Sequence, residues 1–232
     1  MRSSVVATGT VIATVSASLV TLVGAPAAAA DPCPDVDVVF ARGTGEPMGV
    51  GVIGQAFVDA LMAALRSDIG DHGTVEVYPV NYPASRDYPT AVEGVADAGN
   101  HVRDMIARCP ATRMVLGGYS QGAGVIALLT SDGTAVGSAA LPGLPAPLPP
   151  ETGEHVAAVA LFGKPSAATL NAENMPQINA NPVFAAKTID LCVAGDPICS
   201  PDQSASIVPH LLYGVNGMAS QAADFAAQRI AE

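Results

Sequence analysis

One serine stands in a sequence context that would make it a nucleophile. Ser120 lies in a G-x-S-x-G pattern at residues 118–122, between an apolar run at 113–117 and a helix-like run at 121–129. A strand that turns sharply into a helix lifts a serine hydroxyl clear of the sheet, and the two glycines leave room for that turn. The helix N-terminus would offer N–H groups to an anionic intermediate. The alternative is a glycine-rich turn with an inert serine, which the strand–turn–helix context disfavours.

A serine nucleophile needs a base, and His210 is the histidine best placed to be one. It follows the last predicted strand and stands among apolar residues. In a parallel sheet, ligands bind beyond the carboxyl ends of the strands. His72 and His155 precede predicted strands, at the opposite end, and His101 lies inside a helical pattern. A loop histidine without a role is the alternative for His210.

The base in turn needs a carboxylate that orients it, and Asp196 is the best candidate. It lies in the turn after the last predicted strand, between Cys192 and Cys199. A disulfide between these two cysteines would close the turn and hold Asp196 still. Asp190 lies within the strand and Asp202 lies further along the loop, so both rank below Asp196.

The spacing of apolar residues predicts the elements that must position these side chains. The predicted strands are residues 36–41, 74–80, 113–117, 155–162 and 187–193, and the predicted helices are residues 52–65, 90–108, 121–129 and 217–230. This alternation predicts one three-layer α/β domain, with a five-stranded parallel sheet of order 2-1-3-4-5 and helices on both faces. Ser120, Asp196 and His210 would meet at one end of that sheet, in the chain order of α/β-hydrolases.

The N-terminus has the features of a secretory signal peptide. Arg2 precedes an apolar, uncharged stretch at residues 5–23, and a run of alanines ends at Ala30. Signal peptidase requires small residues of this kind, so we expect cleavage after Ala30 and a single domain at residues 31–232. The mature protein would be secreted, either free or associated with the cell envelope. A retained membrane anchor is the alternative, because the stretch is nearly long enough to span a bilayer.

Four cysteines in an exported chain predict two disulfides, with three possible pairings. Cys33 just precedes the first strand and Cys109 just precedes the third. The order of strands makes these two neighbours, so we expect a Cys33–Cys109 disulfide at the end opposite the site and a Cys192–Cys199 disulfide beside it. A zinc site is not expected, because only Cys192 and Cys199 are close in sequence.

Composition excludes several functions. The 232 residues include 10 Lys and Arg against 21 Asp and Glu, a formal net charge of −11. Nucleic acids and anionic membranes bind basic surfaces, which this chain lacks. A G-x-G-x-x-G pattern at residues 49–54 begins about seven residues after the first strand. A dinucleotide site needs that pattern directly after the strand, so we expect no nicotinamide binding. The serine mechanism outlined above implies no other cofactor.

Together these features resemble the cutinase family, in particular the cutinase-like proteins that mycobacteria and related actinobacteria export. The resemblance rests on Cys33, residues 39–44, the G-x-S-x-G pattern, the Cys192–Cys199 loop with Asp196, and Pro209-His210. It covers essentially the whole mature chain. It implies a small serine esterase without a lid domain that acts on ester bonds of lipids or polyesters.

The resemblance also implies the residues that stabilise the oxyanion. Main-chain N–H groups of Thr44 and Gln121 would be donors, and the Thr44 hydroxyl would be a third. One departure concerns the loop after the fourth strand, where the family commonly reads F-G-D-P and this chain has Lys164 in place of the acid. That loop lies at the active end, so the change could alter substrate preference without touching the triad.

We therefore expect a monomeric, secreted serine esterase that hydrolyses lipid esters, short- to medium-chain acyl esters or polyesters through an acyl-enzyme. Contact with lipid surfaces would be transient, and no metal is needed. Two alternatives remain. The same triad could transfer the acyl group to an alcohol instead of water, or the fold could be a non-catalytic binding scaffold in the envelope.

Overall fold

The computed structural model describes Met1, Ser4 and residues 33–68, 73–134, 141–201 and 206–232. The predicted cleavage site after Ala30, His72 and Asp202 lie outside the described residues, as does most of the predicted signal peptide. Residues Cys33–Glu232 form one compact unit.

Five parallel strands form the centre of this unit. They are β1 (Val36–Ala41), β2 (Val75–Pro79), β3 (Arg113–Tyr119), β4 (Val156–Phe162) and β5 (Thr188–Leu191), in the order β2-β1-β3-β4-β5. The predicted order is confirmed. Every residue of β1 and β4 is buried, as expected for strands covered on both faces, whereas β2 and β5 are partly exposed edge strands.

The described residues form six α-helices around the sheet: α1 (Gly51–Asp68), α2 (Ala91–Arg108), α3 (Gln121–Leu129), α4 (Ala167–Ala172), α5 (Pro182–Ala185) and α6 (Met218–Ile230). Short 3₁₀ helices span Tyr88–Thr90, Pro150–Glu154 and Val208–Leu211. The apolar pattern of the sequence did not predict α4 and α5, because helices of six and four residues are too short to show a period. Each of them begins at a side-chain cap, Ser166 and Asn181 respectively.

The two faces of the sheet carry separate cores. Val38 and Phe40 of β1 pack towards α1 and α6, whereas Val39 and Ala41 pack towards α2 and α3. This is the two-residue alternation of a strand, with apolar residues on both sides. Phe40 packs against Phe57 of α1, with ring centroids 6.0 Å apart.

Strand β3 is two residues longer than the sequence predicted. Gly118 pairs with Leu161 of β4, and Tyr119 pairs with Phe162. The glycines there suggested a turn, but main-chain pairing with β4 continues to the end of Tyr119. The same register aligns the ends of β1, β3, β4 and β5, so the loops that follow these strands converge.

Both predicted disulfides are present. Cys33–Cys109 ties the segment before β1 to the end of α2, and Cys192–Cys199 closes the loop after β5. Among the described residues, none of the helices combines the length and the apolar character that crossing a membrane requires.

Candidate active site

Ser120 lies at a sharp turn between β3 and α3. Its backbone has φ 55° and ψ −118°, a conformation that residues other than glycine rarely adopt. A Cβ on Gly118 would lie 2.3 Å from the carbonyl oxygen of Gly122, and a Cβ on Gly122 would lie 2.0 Å from that of Ala41. The turn therefore requires glycine on both sides of the serine, and it leaves Ser120 partly exposed at the end of the sheet.

The structure brings Ser120, His210 and Asp196 together. The Oγ of Ser120 lies 2.8 Å from Nε2 of His210, and Nδ1 of His210 lies 2.7 Å from Oδ2 of Asp196. Asp196 is fully buried and His210 is 5% exposed. The three side chains come from three separate segments: the β3–α3 turn, the loop after β5, and the 3₁₀ helix at Val208–Leu211.

Further hydrogen bonds fix the loop that carries Asp196. Its Oδ1 accepts the N–H of Ile198 at 2.7 Å, and its carbonyl oxygen accepts the N–H of Ser200 at 3.0 Å. Its Oδ2 accepts, in addition to His210, the hydroxyl of Tyr213 at 2.5 Å. Tyr213 was not predicted as a site residue from the sequence. The available signal was an aromatic residue three positions after His210 in a short apolar segment.

Two buried tyrosines enclose the imidazole. Tyr119 donates its hydroxyl to the carbonyl oxygen of His210 at 2.8 Å, and its ring centroid lies 4.9 Å from that of His210. The ring of Tyr213 meets the imidazole edge-on at 6.1 Å. Burial raises the pKa of both phenols well above the usual range, and Asp196 adds to the effect. Both hydroxyls therefore keep their protons and act as donors at neutral pH.

Thr44 lies in a loop after β1 that two charged side chains hold in shape. The guanidinium of Arg42 donates to the carbonyl oxygens of Glu46 at 3.0 Å and Tyr82 at 2.6 Å. The carboxylate of Glu46 accepts the N–H groups of Gly43 at 2.6 Å and Val52 at 2.8 Å. Glu46 thus caps the beginning of α1. A dinucleotide phosphate bound by the G-x-G-x-x-G pattern would need this same position.

The side chains of Thr44 and Gln121 contact each other beside Ser120. The Thr44 hydroxyl donates to Oε1 of Gln121 at 3.2 Å, and Nε2 of Gln121 donates to the carbonyl oxygen of Ser85 at 3.1 Å. Gln121 is the first residue of α3, so its N–H has no acceptor within the helix. The Thr44 hydroxyl, predicted to be the third oxyanion donor, is therefore directed at Gln121 in this structure.

The other candidate residues lie in different environments. Asp190 forms an ion pair with Lys164 at 2.7 Å, with both side chains partly exposed. His101 lies 2.8 Å from Asp37, and His155 contacts the carbonyl oxygen of Pro110 at the opposite end of the sheet. Within the described part of the chain, one group has metal-ligand geometry, Cys192, Asp196 and Cys199, but both of its sulfurs are in the disulfide.

An apolar groove, here called the α3 groove, begins at Ser120 and follows one side of α3. Its α3 side is formed by Gly124, Val125 and Leu128, and its other side by Pro165, Leu170 and Met175. The unpredicted helix α4 supplies Leu170. From Ser120 to Leu128 the helix rises about 12 Å, the length of a medium acyl chain.

Exposed apolar side chains occur in the segment around His210 and near the beginning of α1, and we call them the apolar rim: Met48, Val52, Ile207, Val208, Leu211 and Val215. Ile207, Val208 and Leu211 flank His210 and are each more than half exposed. Gly214, which follows this segment, lies beside α1, where a Cβ on it would be 3.4 Å from the side chains of Ile53 and Ala56.

Comparison with known proteins gives consistent matches. The family model described as Cutinase matches residues 32–230. Carboxylesterase Culp1 of Mycobacterium tuberculosis is 45% identical over 234 residues, which is 99% of this chain and 97% of that protein. Phospholipase Culp4 of the same organism is 49% identical over 210 residues, 89% and 83% of the two chains. The structure of Trichoderma reesei cutinase with a phosphonate inhibitor has 32% identity and a TM-score of 0.65, covering 87% of this chain and 79% of that one.

Proposed function

Because this chain belongs to the cutinase family and is a carboxylic ester hydrolase, we propose that it cleaves esters through an acyl-enzyme formed on Ser120. His210 is the general base, Asp196 orients it, and the N–H groups of Thr44 and Gln121 hold the oxyanion. The observation that carries this proposal is the unbroken hydrogen-bond chain from Oγ of Ser120 through His210 to Oδ2 of Asp196.

In the proposed mechanism, Nε2 of His210 removes the proton from Ser120 as its oxygen attacks the ester carbonyl. The imidazolium that forms is stabilised by Asp196 and then protonates the leaving alcohol. A water molecule releases the acyl group by the same two steps. The oxyanion forms beside the N-terminus of α3, where each donor contributes roughly a hundredfold or more to the rate.

The surroundings of Ser120 support lipid esters as substrates. The α3 groove fits an acyl chain, and the apolar rim fits transient contact of the site mouth with a lipid surface. A similar protein carries the name phospholipase, so phospholipids belong to the proposed substrate range. The acidic composition of the chain favours neutral or zwitterionic lipids over anionic ones.

We further propose that the protein is secreted after cleavage at Ala30 and acts as a monomer. The two disulfides support export of the protein to an oxidising environment, where such bonds persist. One chain supplies every residue of the proposed mechanism, so no second copy is needed. Sequencing the N-terminus of the exported protein should give Asp31 as its first residue, and size-exclusion chromatography should give the mass of one chain.

The nucleophile is tested with Ser120→Ala. A fluorophosphonate probe should label the wild-type protein and leave the variant unlabelled, and the variant should lose turnover of p-nitrophenyl butyrate. The melting temperature of the variant serves as the control, because removing one partly exposed hydroxyl should leave the fold intact. Substantial turnover or labelling in a folded Ser120→Ala protein would remove Ser120 from the mechanism.

A further inference from the structure

Tyr213 completes a chain of hydrogen bonds behind the catalytic pair. Its hydroxyl donates to Oδ2 of Asp196 at 2.5 Å, the same oxygen that lies 2.7 Å from Nδ1 of His210. The hydroxyl oxygen accepts the N–H of Val193 at 3.1 Å. The Tyr213 side chain is fully buried. Its hydroxyl is therefore polarised by a donor on one side and a carboxylate on the other, away from bulk water.

Three donors converge on the Asp196 carboxylate. Ile198 binds Oδ1, while His210 and Tyr213 share Oδ2. Hydrogen bonds to an ionised carboxylate stabilise its charge. The bond from Tyr213 therefore limits how strongly Oδ2 attracts a proton on the neighbouring imidazole, and it also fixes the direction from which Oδ2 meets that ring.

We propose that Tyr213 is a positioning residue that sets the orientation of Asp196 and the pH range in which His210 acts as a base. This inference rests on the proposed function, because it takes His210 to be the base in ester hydrolysis. Burial and the bond to Asp196 keep the phenol protonated at neutral pH, so that it is always a donor.

The direction of the effect follows from the charges. Without the Tyr213 hydroxyl, Oδ2 of Asp196 has one donor fewer and attracts a protonated His210 more strongly. The protonated base is then favoured up to a higher pH, so the acidic limb of the kcat/KM profile moves upward.

The neighbouring titratable groups do not account for such a shift. Tyr119 contacts both the imidazole and the Tyr213 ring, and Glu46 acts on Tyr119 from the loop before α1. On the other side, Lys164 follows Gly163, which lies against His210, and pairs with Asp190. Replacing Tyr213 by phenylalanine keeps the aromatic ring and removes an uncharged hydroxyl, so none of these groups is lost.

The test compares Tyr213→Phe with Tyr119→Phe. Each variant loses one buried phenol hydroxyl from the same cluster, but the Tyr119 hydroxyl donates to a main-chain carbonyl and not to the carboxylate. We expect Tyr213→Phe to lower kcat about tenfold with KM changed less than about twofold. The acidic limb of the kcat/KM profile of Tyr213→Phe should move up by about half a pH unit. Tyr119→Phe should leave the limb in place. An unmoved or lowered limb in folded Tyr213→Phe, or equal shifts in both variants, would overturn the proposal.

A second replacement keeps the hydrogen bond and should move the acidic limb of the kcat/KM profile in the opposite direction. Substituting 3-fluorotyrosine at position 213 makes the hydroxyl a stronger donor, so the acidic limb should move to lower pH. This variant tests the proposal even where Tyr213→Phe does not fold, and a limb that stays in place or rises would contradict it. Failure of the proposed function is recognised separately, because it would show as a Ser120→Ala protein that retains turnover.

Discussion

At the scale of single residues, the hydroxyl of Thr44 is engaged before any substrate binds. It donates to the amide oxygen of Gln121, whose own position is fixed by Ser85. A hydrogen bond to an anionic oxygen is about twice as strong as one to a neutral amide. The hydroxyl can therefore turn from Gln121 to the substrate as negative charge develops, and its contribution belongs to the transition state.

Thr44→Ala should consequently lower kcat more than it changes KM. The N–H donors of Thr44 and Gln121 remain in this variant, so we expect a loss of about tenfold to a hundredfold and not complete inactivity. Thr44→Ser is the matched control, because it keeps the hydroxyl and should retain most of the rate. Steady-state kinetics with p-nitrophenyl butyrate would contradict this role if Thr44→Ala had a normal kcat or if Thr44→Ser lost as much.

At the scale of elements, α3 serves the site in two ways. Its N-terminus presents Ser120 and Gln121, and one of its sides forms the wall of the α3 groove. Gly124 is the position in that wall where a larger side chain has room. A Cβ there would contact only Pro165, at 3.9 Å, whereas a Cβ on Gly122 would lie 2.0 Å from Ala41.

Gly124→Val should therefore fold normally and shorten the preferred acyl chain. Its side chain would fill groove space that accommodates methylenes worth about 0.8 kcal/mol each when buried. We expect kcat/KM for p-nitrophenyl decanoate to fall about tenfold relative to that for the butyrate ester. Gly124→Ala should show a smaller change in the same direction, and Gly122→Ala should not fold. An unchanged ratio in Gly124→Val would mean that acyl chains bind elsewhere.

The Cys192–Cys199 loop is the second element on which the site depends. The disulfide closes a short loop, so its entropic share of stability is only about 2.5 kcal/mol, whereas the mechanism needs Asp196 within about half an ångström of its place. The double variant Cys192→Ser, Cys199→Ser should unfold cooperatively and show a reduced kcat. Because Ile198, Ser200 and Tyr213 also hold Asp196, the loss should be partial. A kcat equal to that of the wild type would show that these other contacts suffice.

At the scale of the whole molecule, the proposed catalytic residues and the disulfide that closes the long loop lie at opposite ends of the parallel sheet. The loops after β1, β3 and β5 converge on the site, whereas Cys33–Cys109 lies at the opposite end and links segments 76 residues apart. A disulfide that closes a loop of this length stabilises by about 4.5 kcal/mol in the chain-entropy treatment.

Removing the Cys33–Cys109 disulfide should thus affect stability and spare catalysis. For a domain of this size, losing the stabilisation that this disulfide provides corresponds to a decrease of roughly 10 °C in Tm. Turnover of the Cys33→Ser, Cys109→Ser variant should be near normal at temperatures where it stays folded. Calorimetry and kinetics on the two double variants side by side provide the check. A lower kcat in this variant than in the Cys192→Ser, Cys199→Ser variant would reverse the roles assigned to the two disulfides.

The amino-acid sequence was enough to predict the sheet order, the ends of β1 and α3 and the two disulfides, because apolar runs locate the elements and the order of the strands then places the cysteines. Apolar periods identify elements, and the alternation of strands and helices leaves few topologies. It also singled out Ser120, Asp196 and His210, through their positions after strands.

Only the tertiary structure revealed the contacts of Tyr213 with Asp196, of Thr44 with Gln121 and of Lys164 with Asp190. It also showed α4 as a wall of the groove. The physical reason is that a side-chain hydrogen bond depends on atomic positions to within a few tenths of an ångström. Those positions are set by how loops close and pack against each other, and a short loop or helix carries no periodic pattern that encodes this packing.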